Sequence, residues 1–135
     1  MAQRNQSRER NIWQVMSMNL ELTTKREAEF LIATLKGELD HHSAEAVRGK
    51  LDLDLDIHPN SSLILDLGGL TFMDSSGLGV ILGRYRKIKS LGGEMSIVNI
   101  PRSIEKVIQI SGLHKIMHFY RSSSEALREM KGGLH

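Results

Sequence analysis

Apolar positions along this chain follow two periods, and the switches between them mark its elements. Residues 29–39 are dense in Phe30, Leu31, Ile32 and Leu35, residues 19–24 form a shorter run, and the polar Lys25-Arg26-Glu27-Ala28 lies between. This pattern predicts two strands joined as a hairpin. Gly37, at the expected end of the second strand, permits a backbone geometry closed to other residues. Residues 44–55 fit two templates: Leu51, Leu53, Leu55 and Ile57 alternate with Asp as in a strand, while Val47, Leu51 and Leu55 are spaced as on a helix. The Ser43 cap and the Ala44-Glu45-Ala46 opening favour the helix. His58-Pro59-Asn60-Ser61 breaks the chain before an apolar strand from Leu63. That strand runs into Asp74-Ser75-Ser76, all good N-cap residues, and then into a helix with a predicted stripe of Leu78, Ile81, Leu82, Tyr85, Ile88 and Leu91, stopped by Gly92-Gly93. A short strand over 95–100 follows. Pro101 opens a helix through Ile104, Val107, Ile108 and Leu113 that Ser111-Gly112 closes, 116–120 reads as a last strand, and Ser123 or Ser124 caps a final helix with Leu127 and Met130.

Strands and helices that alternate after an opening hairpin specify an α/β class, with parallel neighbours joined by right-handed crossovers. The expected product is a mixed sheet of about five strands, beginning with an antiparallel hairpin, and four helices. Functional surfaces in such sheets lie at the carboxyl ends of the strands. Residues 74–77 and the loop 38–42 both fall at such ends, so they are expected to share one face.

With 135 residues the chain fits one domain, able to bury ~68% of its unfolded surface without metals or disulfides. Residues 1–17, rich in Arg, Gln, Asn and Ser, show no buried period and are expected to be a flexible extension, with Ile12, Trp13 and Val15 as its one apolar spot. The domain is expected over 18–131, with 132–135 fraying. Arg4, Arg8 and Arg10 against Glu9 account for the whole net charge of +2, so the domain is formally neutral. Its one dense basic run is Arg84, Arg86, Lys87 and Lys89, with Tyr85 the single aromatic within it, and so few aromatics argue against direct binding to nucleic acid. The chain has no cysteine, no apolar run of membrane-spanning length and no signal-peptide core, and a cytoplasmic protein is expected. His41 and His42 are adjacent and expected to point apart, and the other histidines show no ligand spacing, so no metal or other cofactor is expected.

The sequence therefore places a hydroxyl at a helix start. One reading is that Ser75 or Ser76 only caps the helix, worth ~1 kcal/mol. The other is that the hydroxyl accepts a phosphoryl group, because a helix N-terminus offers N–H donors and partial positive charge, with Gly77 and Gly79 leaving the backbone open. A phosphate-binding loop of the Gly-x-x-x-x-Gly-Lys type is absent. A hydrolase elbow is excluded too, since it needs glycine where Met73 or Asp74 stands. Asp40 reads by default as a helper cap for the helix after Ser43. The basic run reads either as a solvated face or as a match for an acidic partner.

The segment Phe72-Met73-Asp74-Ser75-Ser76-Gly77-Leu78-Gly79-Val80-Ile81-Leu82-Gly83-Arg84-Tyr85, with Gly37-Glu38-Leu39-Asp40-His41-His42 before it and Ile110-Ser111-Gly112-Leu113-His114-Lys115-Ile116 after it, closely resembles the STAS family, and within it the anti-anti-sigma factors of spore-forming bacteria. The resemblance implies the STAS fold and a regulatory binding protein, not an enzyme. It implies that Ser75 is a phosphoacceptor, that the unphosphorylated form binds an anti-sigma factor that is itself an ATP-dependent serine kinase and so frees the sporulation sigma factor, and that a phosphoserine phosphatase restores binding. Partner contacts are expected at Glu38, Asp40, His41, Asp74, Ser75, Ser76, Gly77 and Leu78, with Arg86 on the central helix. The alternative within the family is a STAS regulator of a stress-response or transporter system.

Overall fold

The computed structural model describes residues 2–6, 11–15 and 19–132. Two strands, β1 (Ala2–Gln6) and β2 (Asn11–Val15), precede the expected hairpin of β3 (Leu20–Glu27) and β4 (Phe30–Leu39). Then follow α1 (Ala44–Ile57), β5 (Ser62–Met73), α2 (Ser75–Ser90), β6 (Met95–Val98), α3 (Arg102–Ser111), a 3-10 turn (Leu113–Lys115), β7 (His118–Tyr120) and α4 (Ser123–Gly132). The strands lie side by side in chain order. β3 and β4 pair antiparallel, whereas β4 with β5, β5 with β6, and β6 with β7 pair parallel.

That order decides where the helices go. Crossovers of one hand that always step in the same direction along a sheet leave every connecting helix on the same face. Accordingly Val47, Leu51 and Leu55 of α1, Val80, Ile81 and Ile88 of α2, and Ile104 and Ile108 of α3 join Leu31, Ala33, Leu35, Leu63, Leu65, Leu67 and Ile97 in one core. α4, which has no further strand to reach, crosses to the other face and packs Ala126 and Met130 on Phe30, Ile32, Ile64 and Val98.

Burial settles the ambiguous stretch in favour of the helix. Val47, Leu51 and Leu55 are buried, while Leu53 and Ile57, which a strand would have placed with Leu51, are 54% and 61% exposed. The β3–β4 ladder reaches Glu27 opposite Phe30, so Lys25, Arg26 and Glu27 belong to the strand. The turn is Ala28-Glu29, with Ala28 at φ +53°. Gly37 sits inside β4 at φ +109°, where a Cβ would stand 2.0 Å from the Asn19 carbonyl oxygen. Gly92-Gly93 ends α2 by donating to the Lys89 and Ile88 carbonyls at 3.1 and 2.9 Å, the double bond pattern of a left-handed glycine cap. Ser122, one residue earlier than expected, starts α4: its hydroxyl accepts from Glu125 N at 3.1 Å, and the Glu125 carboxylate accepts from Arg121 N at 2.8 Å.

The strands before residue 18 are a further difference from the sequence reading. β1 pairs antiparallel with β2, and β2 lies along β3 from Asn11 opposite Thr24 to Gln14 opposite Glu21. A ladder on a free strand edge needs only backbone N–H and C=O groups. Apolar periodicity reports side-chain burial and is silent about that requirement.

Candidate functional site

The first turn of α2 is organised by one carboxylate. Asp74 is the N-cap, and its Oδ1 accepts from the backbone of Ser76 at 2.8 Å and of Gly77 at 3.3 Å. Capping by Asp74 leaves both serines free of that task. Ser75 is exposed, and its hydroxyl has no hydrogen-bond partner among the described residues; Ser76 is half-buried. Of the two roles open to Ser75 in the sequence, helix capping is thus already filled by its neighbour.

Gly77 does something other than expected. It is buried, its N–H is already taken by Asp74, and a Cβ there would meet Met73 Cγ at 2.6 Å and the Leu39 carbonyl oxygen at 2.9 Å. Glycine at 77 lets the helix start approach the end of β4. Gly79 is the open one, where a Cβ would have no neighbour within 4 Å.

The close approach brings the two candidate segments together. Glu38 and Leu39 pair with Phe72 and Met73 at the ends of β4 and β5, and Asp74 N donates to the Leu39 carbonyl at 3.3 Å. Immediately beyond, Asp40 Oδ1 accepts from His42 N at 2.9 Å and Ser43 N at 3.1 Å. Ser43 is buried: its hydroxyl donates to the Glu38 carbonyl at 2.9 Å and accepts from Asp40 N at 3.0 Å. It holds the hydroxyl inward, and it makes no side-chain cap on α1. Partial desolvation raises the Asp40 pKa, but the backbone N–H groups of Ser43 and His42 and the Ser43 hydroxyl outweigh it and hold the carboxyl below its ordinary value. His41 and His42 are exposed and their rings lie against each other, centroids 3.9 Å apart, contrary to the expectation that neighbours point away. Phe72 is 47% exposed beside Glu38.

The buried face of α2 shares Ile81 and Ile88 with the predicted stripe but is turned from it by ~60°, less than the ~100° of one residue on a helix. Gly77, Val80, Ile81, Arg84 and Ile88 are buried, Leu78, Leu82 and Tyr85 only partly so, and Leu91 is exposed. A stripe built on apolar residues alone cannot count Gly77, which gives room to β4, or Arg84, which faces α1. Arg84 Nε lies 3.0 Å from Asp52 Oδ1, Lys87 pairs with Asp56 at 2.7 Å, and Lys89 with Glu94 at 2.9 Å. The basic run is therefore not one solvated face. Arg86 alone of the four is exposed without an ion pair among the described residues. Among those residues, no helix is long and apolar enough to cross a membrane.

Residues 20–126 match the family model of the STAS domain. An anti-sigma F factor antagonist of Paenibacillus polymyxa is 41% identical over 114 residues, covering 84% of this chain and 97% of that protein. One of Lysinibacillus sphaericus is 39% identical over 73% of this chain and 81% of its own. Among solved structures, the anti-sigma factor antagonist SpoIIAA superposes in its unphosphorylated form with a TM-score of 0.66 at 28% identity, covering 82% of this chain and 98% of that one. In its phosphorylated form the TM-score is 0.64 at 31% identity, over 79% and 97%. With its sequential mixed sheet, the cap at Asp74 and a matched segment that spans the fold from β3 into α4, the chain belongs to the STAS domain family.

Proposed function

We propose that this chain is an anti-sigma factor antagonist of the sporulation type, that Ser75 is its phosphoacceptor, and that phosphorylation there ends its binding to an anti-sigma factor kinase. The observation that carries the assignment is the division of labour at the start of α2: Asp74 caps the helix, and the Ser75 hydroxyl is left exposed and, among the described residues, unpartnered. The relatives named above support the class of partner. The kinase brings the ATP, so the chain itself catalyses nothing. A phosphoserine phosphatase returns it to the binding form. We assign it to the cytoplasm, with 18–131 as the folding unit.

Binding is lost locally. A phosphate on Ser75 adds roughly −1.5 to −2 charges at neutral pH. The start of α2 tolerates an anion, which a helix N-terminus stabilises by ~0.3–1 kcal/mol, in keeping with the one fold that SpoIIAA holds in both forms. A partner surface fitted to a neutral hydroxyl beside the Asp74 carboxylate gains an unpaired charge instead, a cost of several kcal/mol where each ~1.4 kcal/mol is tenfold in affinity. Glu38, Asp40, His41 and Leu78 surround the switch and complete the contact surface, with Arg86 further along the helix. Calorimetric titration with the anti-sigma kinase tests this: Ser75→Ala is expected to bind like the wild type and Ser75→Asp at least tenfold more weakly. Equal affinity of Ser75→Asp and wild type would remove the switch from this residue.

A further inference from the structure

Asp52 and Arg84 occupy matching places on two neighbouring helices. α1 and α2 follow the parallel strands β4 and β5, so they start at the same end of the sheet and run alongside each other. Asp52 is the ninth residue of α1 and Arg84 the tenth of α2, ~12–14 Å down each axis. Their side chains are largely buried, 19% and 10% exposed, and meet at 3.0 Å across the helix interface. Asp52 also faces Arg48 of its own helix at 3.3 Å and Lys87 of α2 at 3.5 Å. Arg84 Nε and Nη1 and Asp52 Oδ1 are buried without a well-aligned hydrogen bond among the described residues.

Such an arrangement is a poor way to gain stability. Desolvating two charges cancels most of their attraction, and apolar side chains of similar volume serve as well or better. What an ion pair does better is select one alignment, because apolar ridges can pack in several registers whereas Arg84 meets Asp52 in only one. We infer that Asp52 and Arg84 are positioning residues that lock the register of α1 against α2 and so fix the Asp40 loop relative to Ser75 as a single recognition surface for the kinase. This inference rests on the function proposed above. Lys87 with Asp56, at 2.7 Å, adds a more exposed clamp one turn further on, where solvent screening weakens it.

The test separates register from stability. In the double variant Asp52→Leu/Arg84→Met the thermal midpoint is expected to stay at or above the wild-type value, while the KM of the kinase for this protein rises about tenfold with little change in kcat, the signature of lost recognition rather than lost chemistry. Because the chain has no cysteine, spin labels at Gly49→Cys on α1 and Gly79→Cys on α2, both open positions, read the helix register without the kinase. The label separation is expected to shift or broaden in the double variant. If that variant does not fold, Arg84→Lys, which keeps the charge, is expected to hold KM and separation nearer the wild type than Arg84→Met does. A folded variant with wild-type KM, or with raised KM and unchanged separation, overturns the inference. Failure of the kinase to phosphorylate even the wild type would instead sink the proposed function, and the label separation would then decide the register claim alone.

Discussion

Two helix starts in this protein are built from the same materials and end in opposite states. Before α1 and at α2, an aspartate accepts backbone N–H groups two and three residues ahead: Asp40 from His42 and Ser43, Asp74 from Ser76 and Gly77. Each turn also carries a serine. Ser43 is buried with its hydroxyl used twice, and Ser75 is exposed with its hydroxyl unused among the described residues. The difference arises from spacing. Asp40 sits three residues before the α1 cap, so the chain between them folds back on Ser43, whereas Asp74 is itself the α2 cap and its helix begins at Ser75. One turn is thereby scaffold and the other is left available for chemistry.

Removing the two hydroxyls should separate these roles most sharply. Ser43→Ala leaves the Glu38 carbonyl without a donor and Asp40 N without an acceptor, and is expected to cost ~1–3 kcal/mol. Ser75→Ala should stay within ~0.5 kcal/mol of the wild type. Chemical denaturation of both variants checks the contrast, which fails if the two fall equally.

The glycines of α2 sharpen it further. Gly77→Ala drives a carbon into Met73 and the Leu39 carbonyl, and overpacking of this kind is expected to cost ~1–3 kcal/mol and to loosen the contact between the two turns. Gly79→Ala meets nothing and should stabilise by up to ~1 kcal/mol through helix propensity. Thermal midpoints that move the same way in both would show that close approach to β4 is not what Gly77 provides.

The smallest expected effect is electrostatic. Because folding holds the Asp40 carboxyl below its ordinary value of 3.8, the stabilisation it gives the loop is complete above that pH and is lost as the pH falls through its depressed folded value. The protection of the His42 and Ser43 amides against exchange, taken relative to the intrinsic rate at each pH, should therefore fall in acid, and Asp40→Asn should lose most of that dependence. Identical acid profiles in the two proteins would mean that other carboxylates govern the loop.

Much of this was legible in the residues. The periods of β4, β5 and α3 reflect burial on one or both faces, and burial is what periodicity reports. The candidate site was legible because Asp74-Ser75-Ser76 can only begin a helix after an apolar strand, and because the Glu38–His42 turn falls at the same sheet end. Which serine is free was not legible, since three adjacent residues can all cap and only the backbone path selects Asp74. The rotation of α2 was hidden for a related reason: Gly77 and Arg84 line the buried face through a tight approach and an ion pair to Asp52, neither of which an apolar stripe records. A strand ladder such as that of β1 and β2 needs only backbone groups, and a side-chain period is silent about those.

The proposed switch stands on Ser75 being the phosphoacceptor. The direct measurement is to incubate the wild type, Ser75→Ala and Ser76→Ala with the anti-sigma kinase and ATP and to map the phosphate by mass spectrometry. One phosphate on Ser75 is expected in the wild type and in Ser76→Ala, and none in Ser75→Ala. Phosphate on Ser76, or uptake by Ser75→Ala equal to that of the wild type, would contradict the assignment.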